Sequence, residues 1–499
     1  MVVGLSFSRA FVSLSYVVII AAWLFDKDVF KKFGLFFKNK PAWILASIYL
    51  MHLLGLLYTS DFSYAWLDIR TKIPILILPL VFSTMNPLSK REFIAVLLVF
   101  SLTVVGSMGT ALFWFFKDSL VDFREAFHFV SHIRLGLMSV IAISVFGWLT
   151  FKKSLGFPLW TKVIFMVLSL FLLWAIAVLE IMSGMLLFVL TSGILAIVFW
   201  LKASRKYSLW IAMGFIGVLI AIASYLFIVI DNYYKVSPPK TIAEKTNRGN
   251  RYENQENQFP VENGNYIGRQ ICWKEMRQVW NQKSSINFDS LDRMNNPIRY
   301  TLLRYLNSKH LTKDFEGVNQ LSESDVSFIE KGFANVEYTK KFSLKKRIYK
   351  ILWEYSIYKK EGKIRKSSGI KRLYLWETGL HLVAQHPFFG VGTGDVKAEF
   401  SRQLQEEKSP LQKDRLRSHN QYISIAIAFG IIGLLWFVFA ILYPFISTGR
   451  FDFLMMAFLI IYLLSMFWED SLETQIGVTI FAFFYPLFLF QNPTIKETF

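Results

Sequence analysis

The sequence predicts an all-α integral membrane protein of about eleven transmembrane helices, with a large helical extracytoplasmic loop between the eighth and the ninth. Hydrophobic residues make up 54% of the 499-residue chain, including 49 Phe, which is more apolar surface than a soluble domain can shield. About eleven apolar runs are candidates to cross a bilayer. Between Tyr234 and His419 this pattern stops and a polar sequence replaces it. We therefore predict an N-terminal bundle (1–230), a loop or lid (231–420) and a C-terminal group of spans (421–499).

The predicted spans follow the apolar runs in order. They are 8–25, 41–58, 73–84, 93–115, 133–150, 160–179, 184–201, 209–230, 421–446, 452–467 and 475–491. The third run is short and contains Pro74 and Pro79, so we expect it to be broken or tilted. The first run lacks a basic leader and a small-residue cleavage site, which favours a retained helix over a signal peptide.

The distribution of basic residues predicts the topology. Lys and Arg are concentrated in the odd-numbered connections, such as the one that holds Lys27, Lys31 and Lys32, whereas the short even-numbered ones hold few. Because short cytoplasmic loops carry the excess of Lys and Arg, the odd connections are predicted to be cytoplasmic. The N-terminus and the long loop would then lie outside, and the C-terminus inside.

The long loop is basic and is predicted to be folded. It carries 34 Lys and Arg against 22 Asp and Glu. A basic face beside a membrane attracts lipid headgroups, phosphates or acidic sugars, although a solvated loop explains the same charge. Nucleic acid is not expected on that side of a membrane. Cys272 is the only cysteine, so packing and not disulfides must hold the loop.

Periodic apolar residues predict several helices in this loop after an irregular stretch at 235–269. The predicted helices are 271–280, 297–309, 326–333 behind a capping box at Ser322 and Asp325, 344–358, and 372–385. In the fourth of these, Ile348, Ile351, Leu352, Tyr355 and Tyr358 are predicted to form the buried stripe. The loop is thus interpreted as a small helical lid.

His419 and Asn420 stand at the mouth of the ninth span. A helix N-terminus favours anions, and an imidazole there can accept a proton from a hydroxyl near neutral pH. Arg417, two residues earlier, could pair with phosphate oxygens. The alternatives are an interfacial histidine hydrogen-bonded by Asn420 and a solvated arginine.

Alternating glycines at Gly390, Gly392 and Gly394 follow a predicted helix. The strand that precedes a phosphate-binding glycine loop is missing, so the segment is not a Rossmann or P-loop signature. A tight turn between two helices explains the pattern. The backbone amides could still approach an anion.

The remaining ionisable residues near the spans all fall on the predicted outer side. They are Asp68, Arg70, Lys72, His132, Arg134, Glu180, Glu469, Asp470 and Glu473. Charges at membrane depth are usually paired or functional, and a group confined to one leaflet indicates a pocket open to that surface. Each one alone is equally well explained as an interfacial anchor. No metal-ligand or ATP motif is present, so an enzyme of this kind would draw on a substrate that is already activated.

Three segments resemble the O-antigen ligase family, the membrane glycosyltransferases that share a ligase/polymerase domain. One is His419-Asn420-Gln421-Tyr422-Ile423 followed by the Gly430 to Gly433 motif. Another is Arg372-Leu373-Tyr374-Leu375-Trp376 leading to Pro387-Phe388-Phe389-Gly390, and the last is Glu473-Thr474-Gln475-Ile476-Gly477. The loop insertion around 301–309 is similar to a Bacteroidetes-type subgroup.

The resemblance implies transfer of a glycan from an undecaprenyl-pyrophosphate carrier to an acceptor of the lipid A-core type, without cofactor or metal. The site would face the periplasm from the bacterial inner membrane. His419 would activate the acceptor, and Arg372, with Arg134, Arg417 and Arg70, would bind the pyrophosphate. Asn420, His132, Gly390 and Gly392 would support them. The family also places an arginine where this chain reads Ile181-Met182-Ser183-Gly184-Met185, so Arg134 or Arg70 would have to substitute.

Other functions remain open at this point. A polysaccharide polymerase would use the same donor with a second lipid-linked glycan as acceptor, and a protein O-oligosaccharyltransferase would use Ser or Thr. A polysaccharide transporter or flippase would favour charges through the bilayer midplane and repeat symmetry, neither of which the sequence shows. A family member that has lost activity is the last alternative, because the expected arginine is missing.

Overall fold

The computed structural model describes residues 1–117, 123–202, 205–236, 243–340, 343–362, 368–409, 411–412 and 417–492. The chain divides into two compact units. The membrane unit comprises Met1–Ala212 and Arg372–Phe499, and the polar unit comprises Met213–Lys371. The predicted boundaries at 230 and 420 concern the membrane topology and stay a prediction.

The described residues are mainly helical, with one short hairpin. The N-terminal helices are α1 (Val2–Phe7), α2 (Arg9–Leu24), α3 (Val29–Lys38), α4 (Lys40–Leu54), α5 (Phe62–Thr84), α6 (Lys90–Lys117), α7 (His132–Phe151), α8 (Leu159–Val178), α9 (Met182–Lys202) and α10 (Arg205–Tyr234). A hairpin of β1 (Val261–Glu262) and β2 (Asn265–Tyr266) follows, then α11 (Trp273–Lys283), α12 (Ile298–Ser308), α13 (Phe315–Asn319), α14 (Glu323–Glu330), α15 (Leu344–Glu361) and α16 (Ser368–Gln385). The chain continues with α17 (Val396–Glu406), α18 (Gln421–Thr448), α19 (Phe453–Ser465) and α20 (Gln475–Phe490).

A helix coincides with each of the predicted spans. Within the described residues, 6 helices are long and apolar enough to cross a membrane, or up to 7 if the bent pair α2 and α3 forms one span. The axes of that pair differ by 102°. The helices α19 and α20 are apolar but shorter. The chain is therefore a multi-pass helical membrane protein, while the count of eleven spans stays a prediction.

The third predicted span differs from expectation. The helix α5 is continuous from Phe62 to Thr84 with Pro74 and Pro79 inside it, so the expected break is wrong. The Asp61 side chain caps the helix by accepting a hydrogen bond of 2.9 Å from the Tyr64 amide. Asp68, Arg70 and Lys72 thus lie within the helix and not before it. Neighbouring helices bury most of the C-terminal half of α5, including both prolines.

Two helices form the centre of the membrane unit. Most side chains of α7 and nearly all of α20 are buried. The helix α7 packs against α6, α8, α9 and α19, while α20 packs against α5 and α19. Aromatic rings fill these contacts, as where Phe484 meets Phe100 with ring centroids 4.6 Å apart. The spans therefore pack into one bundle that holds the ends of α5, α18 and α20 in place.

The polar unit has its own core, which confirms that the long loop is folded. Apolar side chains of α11, α12, α14 and α15 meet around Trp280 and Leu302, both fully buried. The predicted helices are confirmed, with ends that differ by a few residues. A buried Glu262 accepts two hydrogen bonds from Arg304, at 2.9 and 2.7 Å, and the guanidinium also stacks 3.4 Å from the centre of the Trp353 ring.

The predicted buried stripe of α15 is only partly right. Ile348 is buried, but Ile351 and Tyr355 are exposed by 37% and 50%. The core instead receives Trp353 and Ile357, one turn apart on a neighbouring row of the same helix. The helix is apolar on more than one side, and the position of the polar-unit core decides which row is covered.

The capping box at the start of α14 is confirmed. The side chain of Ser322 accepts from the Asp325 amide, and the Asp325 carboxylate accepts from the Ser322 amide. Burial alone would raise the pKa of Asp325, but hydrogen bonds from Lys309, Tyr305 and Ser322 outweigh it and lower the pKa to about 2. The carboxylate therefore stays charged at neutral pH and ties α12 to α14.

We expect Leu302→Ala to open the polar unit locally, since removing a fully buried leucine costs about 2–5 kcal/mol. Hydrogen–deuterium exchange of the full-length protein should show faster exchange in α11 and α12. The control is Leu291→Ala, because Leu291 is 53% exposed and its truncation should leave exchange unchanged. Equal protection in both variants would contradict the assigned core.

Candidate active site

His419 occupies a fixed position immediately before α18. Its backbone adopts a left-handed conformation with φ 51°, which is uncommon outside glycine. Its amide donates to Asp470 Oδ2 at 3.2 Å. The next residue, Asn420, caps the helix, since its Oδ1 accepts from the amides of Tyr422 and Ile423 at 3.0 and 3.2 Å. Asn420 therefore supports His419 through the backbone, by fixing where the helix begins.

Asp470 links this turn to the connection between α19 and α20. Its second oxygen accepts a hydrogen bond of 2.8 Å from the hydroxyl of Ser424, one turn into α18. Burial and the neighbouring Glu473 raise the pKa of Asp470 to about 6, although Arg417, Ser424 and the His419 amide oppose the rise. A buried carboxylate thus holds the backbone of His419 and the first turn of α18 together.

Glu473 is the centre of a buried charge cluster. Its Oε1 lies 3.0 Å from Lys72 Nζ, and its Oε2 lies 2.7 Å from Arg417 Nη1. Gln421 Nε2 also donates to Oε1 at 3.3 Å. Burial would raise the pKa of Glu473, but the charges of Lys72 and Arg417 hold it below its usual range. We name Asp68, Lys72, Arg417 and Glu473 the charge cluster.

Lys72 is fully buried and completes the cluster from α5. It forms a second ion pair with Asp68, one turn earlier in the same helix. Two cations therefore meet two carboxylates, so the cluster is close to neutral as it stands. A buried charge is stable only when paired in this way.

The connection between α19 and α20 also forms an ion pair with a second arginine. Arg372, in α16, approaches Glu469 Oε2 at 3.3 Å. Arg134, in the first turn of α7, donates to the Ser131 hydroxyl at 3.1 Å and lines a small cavity together with Glu469 and Trp468. Glu469 and Glu473 of the α19–α20 connection thus pair with Arg372 and Arg417, and Arg134 lines a cavity with Glu469. The binding of a donor pyrophosphate by these arginines stays a prediction.

The glycine segment has a structural role. The amides of Val391 and Gly392 donate to the carbonyls of Ile427 and Ala428, both at 2.9 Å, and the Gly394 amide donates to Thr59 Oγ1 at 2.8 Å. The predicted contact of Gly390 and Gly392 with an anion is therefore wrong, because protein acceptors already occupy these amides. The tight turn is the correct interpretation.

The turn that contains Gly390 and Gly392 packs into a bend of α18. Gly390 and Gly392 have positive φ, and a Cβ at Gly390 would lie 2.4 Å from Ala428 and Ile427 backbone atoms. Gly430 breaks the regular conformation of α18 with φ 65° and lies against Phe388. Only glycine permits these conformations and approaches, so the glycines hold the bend that follows His419.

Two further predicted residues lie on α5 and α7. Arg70 is exposed on α5 and lines neither the cavity beside Arg417 nor the cavity beside Arg134. His132 begins α7, with its ring 5.8 Å from that of Phe127. Its predicted supporting role stays a prediction.

The space inside the charge cluster is small. A cavity of about 20 Å³ lies among His52, Tyr64, Lys72, Arg417, Phe429 and Glu473. A cavity needs a volume of about 10–15 Å³ to hold one water molecule. This cavity can therefore hold a water molecule but not a diphosphate. A substrate must therefore meet the arginines from their partly exposed side or displace their carboxylate partners.

Sequence reasoning missed the central residues. Lys72 and Asp470 are predicted only as outer-side charges, Glu473 is predicted also as part of a family-like segment, and His52 is not predicted at all. The sequence feature that could have identified them is the recurrence of acidic and basic residues at the same predicted membrane depth. Which of them pair depends on the packing of α5 against α18 and α20.

Residues 342–438 match the family model described as O-antigen ligase. Over these residues the chain carries an O-antigen ligase domain. The match runs from just before α15 into α18, so it includes Arg372, Arg417 and His419, whereas Lys72 and Glu473 lie outside it. No curated protein matches the chain. The predicted family is thus confirmed, and the Bacteroidetes-type subgroup stays a prediction.

We expect Glu473→Gln to destabilise the protein strongly, because it leaves Arg417 without the carboxylate that it pairs with and leaves Lys72 with Asp68 alone; breaking a buried pair costs about 3–5 kcal/mol. The melting temperature of the purified protein in detergent measures the loss. Adding Arg417→Met to Glu473→Gln should recover part of it, because Lys72 keeps its ion pair with Asp68.

The control is Glu399→Gln, which removes one partner of the exposed ion pair with Arg402 and should change the melting temperature little. A double variant no more stable than Glu473→Gln alone would contradict the pairing.

Proposed function

We propose that this chain transfers a glycan from undecaprenyl pyrophosphate to an acceptor of the lipid A-core type, at the periplasmic face of the bacterial inner membrane. Family membership supports a glycosyltransferase of the ligase/polymerase type. The distribution of Lys and Arg supports a periplasmic position for the long loop at 231–420. The observation that carries the proposal is the row of acidic residues at 469–473 that holds Arg372 and Arg417 beside the turn of His419.

The arginines suit a diphosphate leaving group. A guanidinium presents a planar fork of donors to phosphate oxygens and stays charged at any physiological pH. In the absence of substrate, Glu469 and Glu473 take that place and keep the guanidiniums oriented. An incoming pyrophosphate would exchange for these carboxylates and receive donors that are already positioned.

His419 would serve the acceptor. In the proposed step the acceptor hydroxyl attacks the anomeric carbon of the donor sugar, and the bond from that carbon to the pyrophosphate oxygen breaks. The hydroxyl proton passes to the imidazole, and the electron pair leaves with the pyrophosphate, whose charge Arg372 and Arg417 stabilise. The residues present supply a base and cations, so the proposed transfer uses neither a metal ion nor ATP.

Arg134 is the better substitute for the arginine that the family resemblance leads one to expect near Gly184. Gly184 packs against Gly136, since a Cβ at Gly184 would lie 3.2 Å from the Gly136 Cα. Arg134 is two residues before Gly136 in α7, so it lies next to the region of Gly184. It also lines a cavity together with Glu469. Arg70 is exposed on a different helix. This placement favours an active enzyme over a member that has lost its activity.

The acceptor distinguishes the remaining alternatives. Glycan analysis of a deletion strain tests them. Loss of all long chains on lipid A-core supports the proposed ligase, whereas core capped by a single repeat indicates a polymerase. Loss of glycan from proteins indicates a protein O-oligosaccharyltransferase, and unchanged glycans with impaired export indicate a transporter.

We expect His419→Ala to abolish transfer while the protein still inserts into the membrane, because the acceptor hydroxyl loses its base. The measurement is product formation from lipid-linked glycan and lipid A-core by purified protein. The matched control is His386→Ala, since His386 is an exposed histidine and its loss should leave the rate unchanged. Undiminished product with His419→Ala would remove His419 from the mechanism.

We expect Arg372→Lys and Arg417→Lys each to lower the rate about 10²–10³-fold, the range found when one donor to a developing charge is removed. An ammonium keeps the charge but loses the planar fork. Arg402→Lys, on an exposed pair, is the control and should retain full activity. Near-normal rates in both site variants would argue against pyrophosphate binding there.

A further inference from the structure

The polar unit contains a large cleft whose lining includes no residue of the charge cluster. Its volume is about 650 Å³, within the range of roughly 300–1,000 Å³ typical of small-molecule sites. The hairpin and the segment after α12 form its walls. The residues that matter below are Asn265, Tyr266, Gln270, Asn307, His310 and Lys313.

Asn307 contributes an acceptor with no partner. The residue is only 2% exposed, and its Nδ2 donates to the Glu262 carbonyl at 2.8 Å. Its Oδ1 receives no hydrogen bond from the described part of the protein. Buried polar atoms are nearly always satisfied, so this oxygen indicates a place for an external donor such as a hydroxyl.

Lys313 contributes a cation that lacks a counter-charge. It is 7% exposed, and its Nζ donates to the carbonyls of Tyr266 and Arg269 at 2.6 and 3.2 Å. No carboxylate in the described ranges lies within ion-pair distance of it. Burial and the nearby charge of Arg269 lower the pKa of Lys313 to about 7. An ammonium has three donors, so one remains for a ligand oxygen.

The backbone holds other polar side chains at the same cleft. Gln270 and His310 adopt positive φ values of 52° and 58°, which non-glycine residues rarely do. His310 Nδ1 and Asn265 Nδ2 lie 2.6 Å apart. Conformations of this kind persist only where the surroundings enforce them, and they are concentrated at binding sites.

The lining of the cleft disfavours lipid tails, and its arginine is already engaged within the protein. Arg269 is already paired with Glu256 at 2.6 Å, with its guanidinium 4.2 Å from the centre of the Tyr266 ring. The lining is mostly polar, and its amides come from Asn247, Asn265, Gln270, Asn307 and Gln320. A side-chain amide donates and accepts at once, as a sugar hydroxyl does.

We propose that this cleft binds an oligosaccharide segment of the glycan, separately from the transfer step. The choice of glycan rests on the proposed function, because the transferred chain is the saccharide that the protein would meet. The unpaired acceptor of Asn307, the remaining donor of Lys313 and the amides around them match a row of sugar hydroxyls. A tyrosine ring beside them provides the apolar surface on which a sugar ring can lie.

The test measures binding of oligosaccharides, released by mild acid from the envelope polysaccharide of the producing cells, to the full-length protein in detergent. Saturation-transfer NMR detects binding and calorimetry gives the Kd. Gln320→Trp should fill the mouth of the cleft and raise the Kd at least tenfold, and His310→Ala, also exposed, should raise it as well. The matched control, Gln282→Trp, is exposed on α11 outside the cleft and should leave the Kd unchanged.

The outcomes separate this inference from the proposed function. Binding that survives His419→Ala, with transfer lost, supports both. No binding by wild-type protein that still transfers glycan overturns the cleft alone, and so does a Kd that neither Gln320→Trp nor His310→Ala alters. Binding that depends on these residues in a protein that transfers nothing supports the cleft and overturns the proposed function. Melting temperatures equal to that of the control confirm that the variants are folded.

Discussion

The ion pairs of Glu473 hold the candidate site together. One carboxylate between α19 and α20 meets Lys72 from α5 and Arg417 from the segment before α18. Removing the carboxylate would take away the ion-pair partner of Arg417 and one of the two partners of Lys72, and such an incomplete set of buried charges is far less stable than the complete one. The pairs therefore impose one arrangement on three segments that are distant in sequence. That arrangement also brings Arg417 close to His419.

The backbone around His419 is fixed by a second set of contacts with a different chemistry. Asp470 holds the His419 amide, Asn420 caps α18, and the glycine segment packs into the bend at Gly430. These hydrogen bonds fix the direction of the backbone at His419, whereas the ion pairs fix the charges around it. A reactive imidazole needs both, because its orientation and the electrostatics around it decide whether it can take a proton.

The structure also separates residues that a motif groups together. Gly390 and Gly392 stand in a family-like segment, yet their amides are used within the protein, so they shape the site and do not touch an anion. Arg70 and Lys72 are two residues apart on α5, but one is exposed and the other is fully buried. On a helix such neighbours point in different directions, so proximity in sequence says little about a shared role.

The sequence by itself determined the helical membrane class, the approximate positions of the apolar helices, the folded polar unit and the family. These follow from local properties, namely hydropathy, helical periodicity, caps such as Ser322 with Asp325, and short motifs such as that at His419. Tertiary structure alone decided the partners of Glu473, the continuity of α5 through Pro74 and Pro79, the buried row of α15 and the cleft at Asn307. Each of these depends on which surfaces meet across long separations in the chain, and hydropathy carries no record of such pairings.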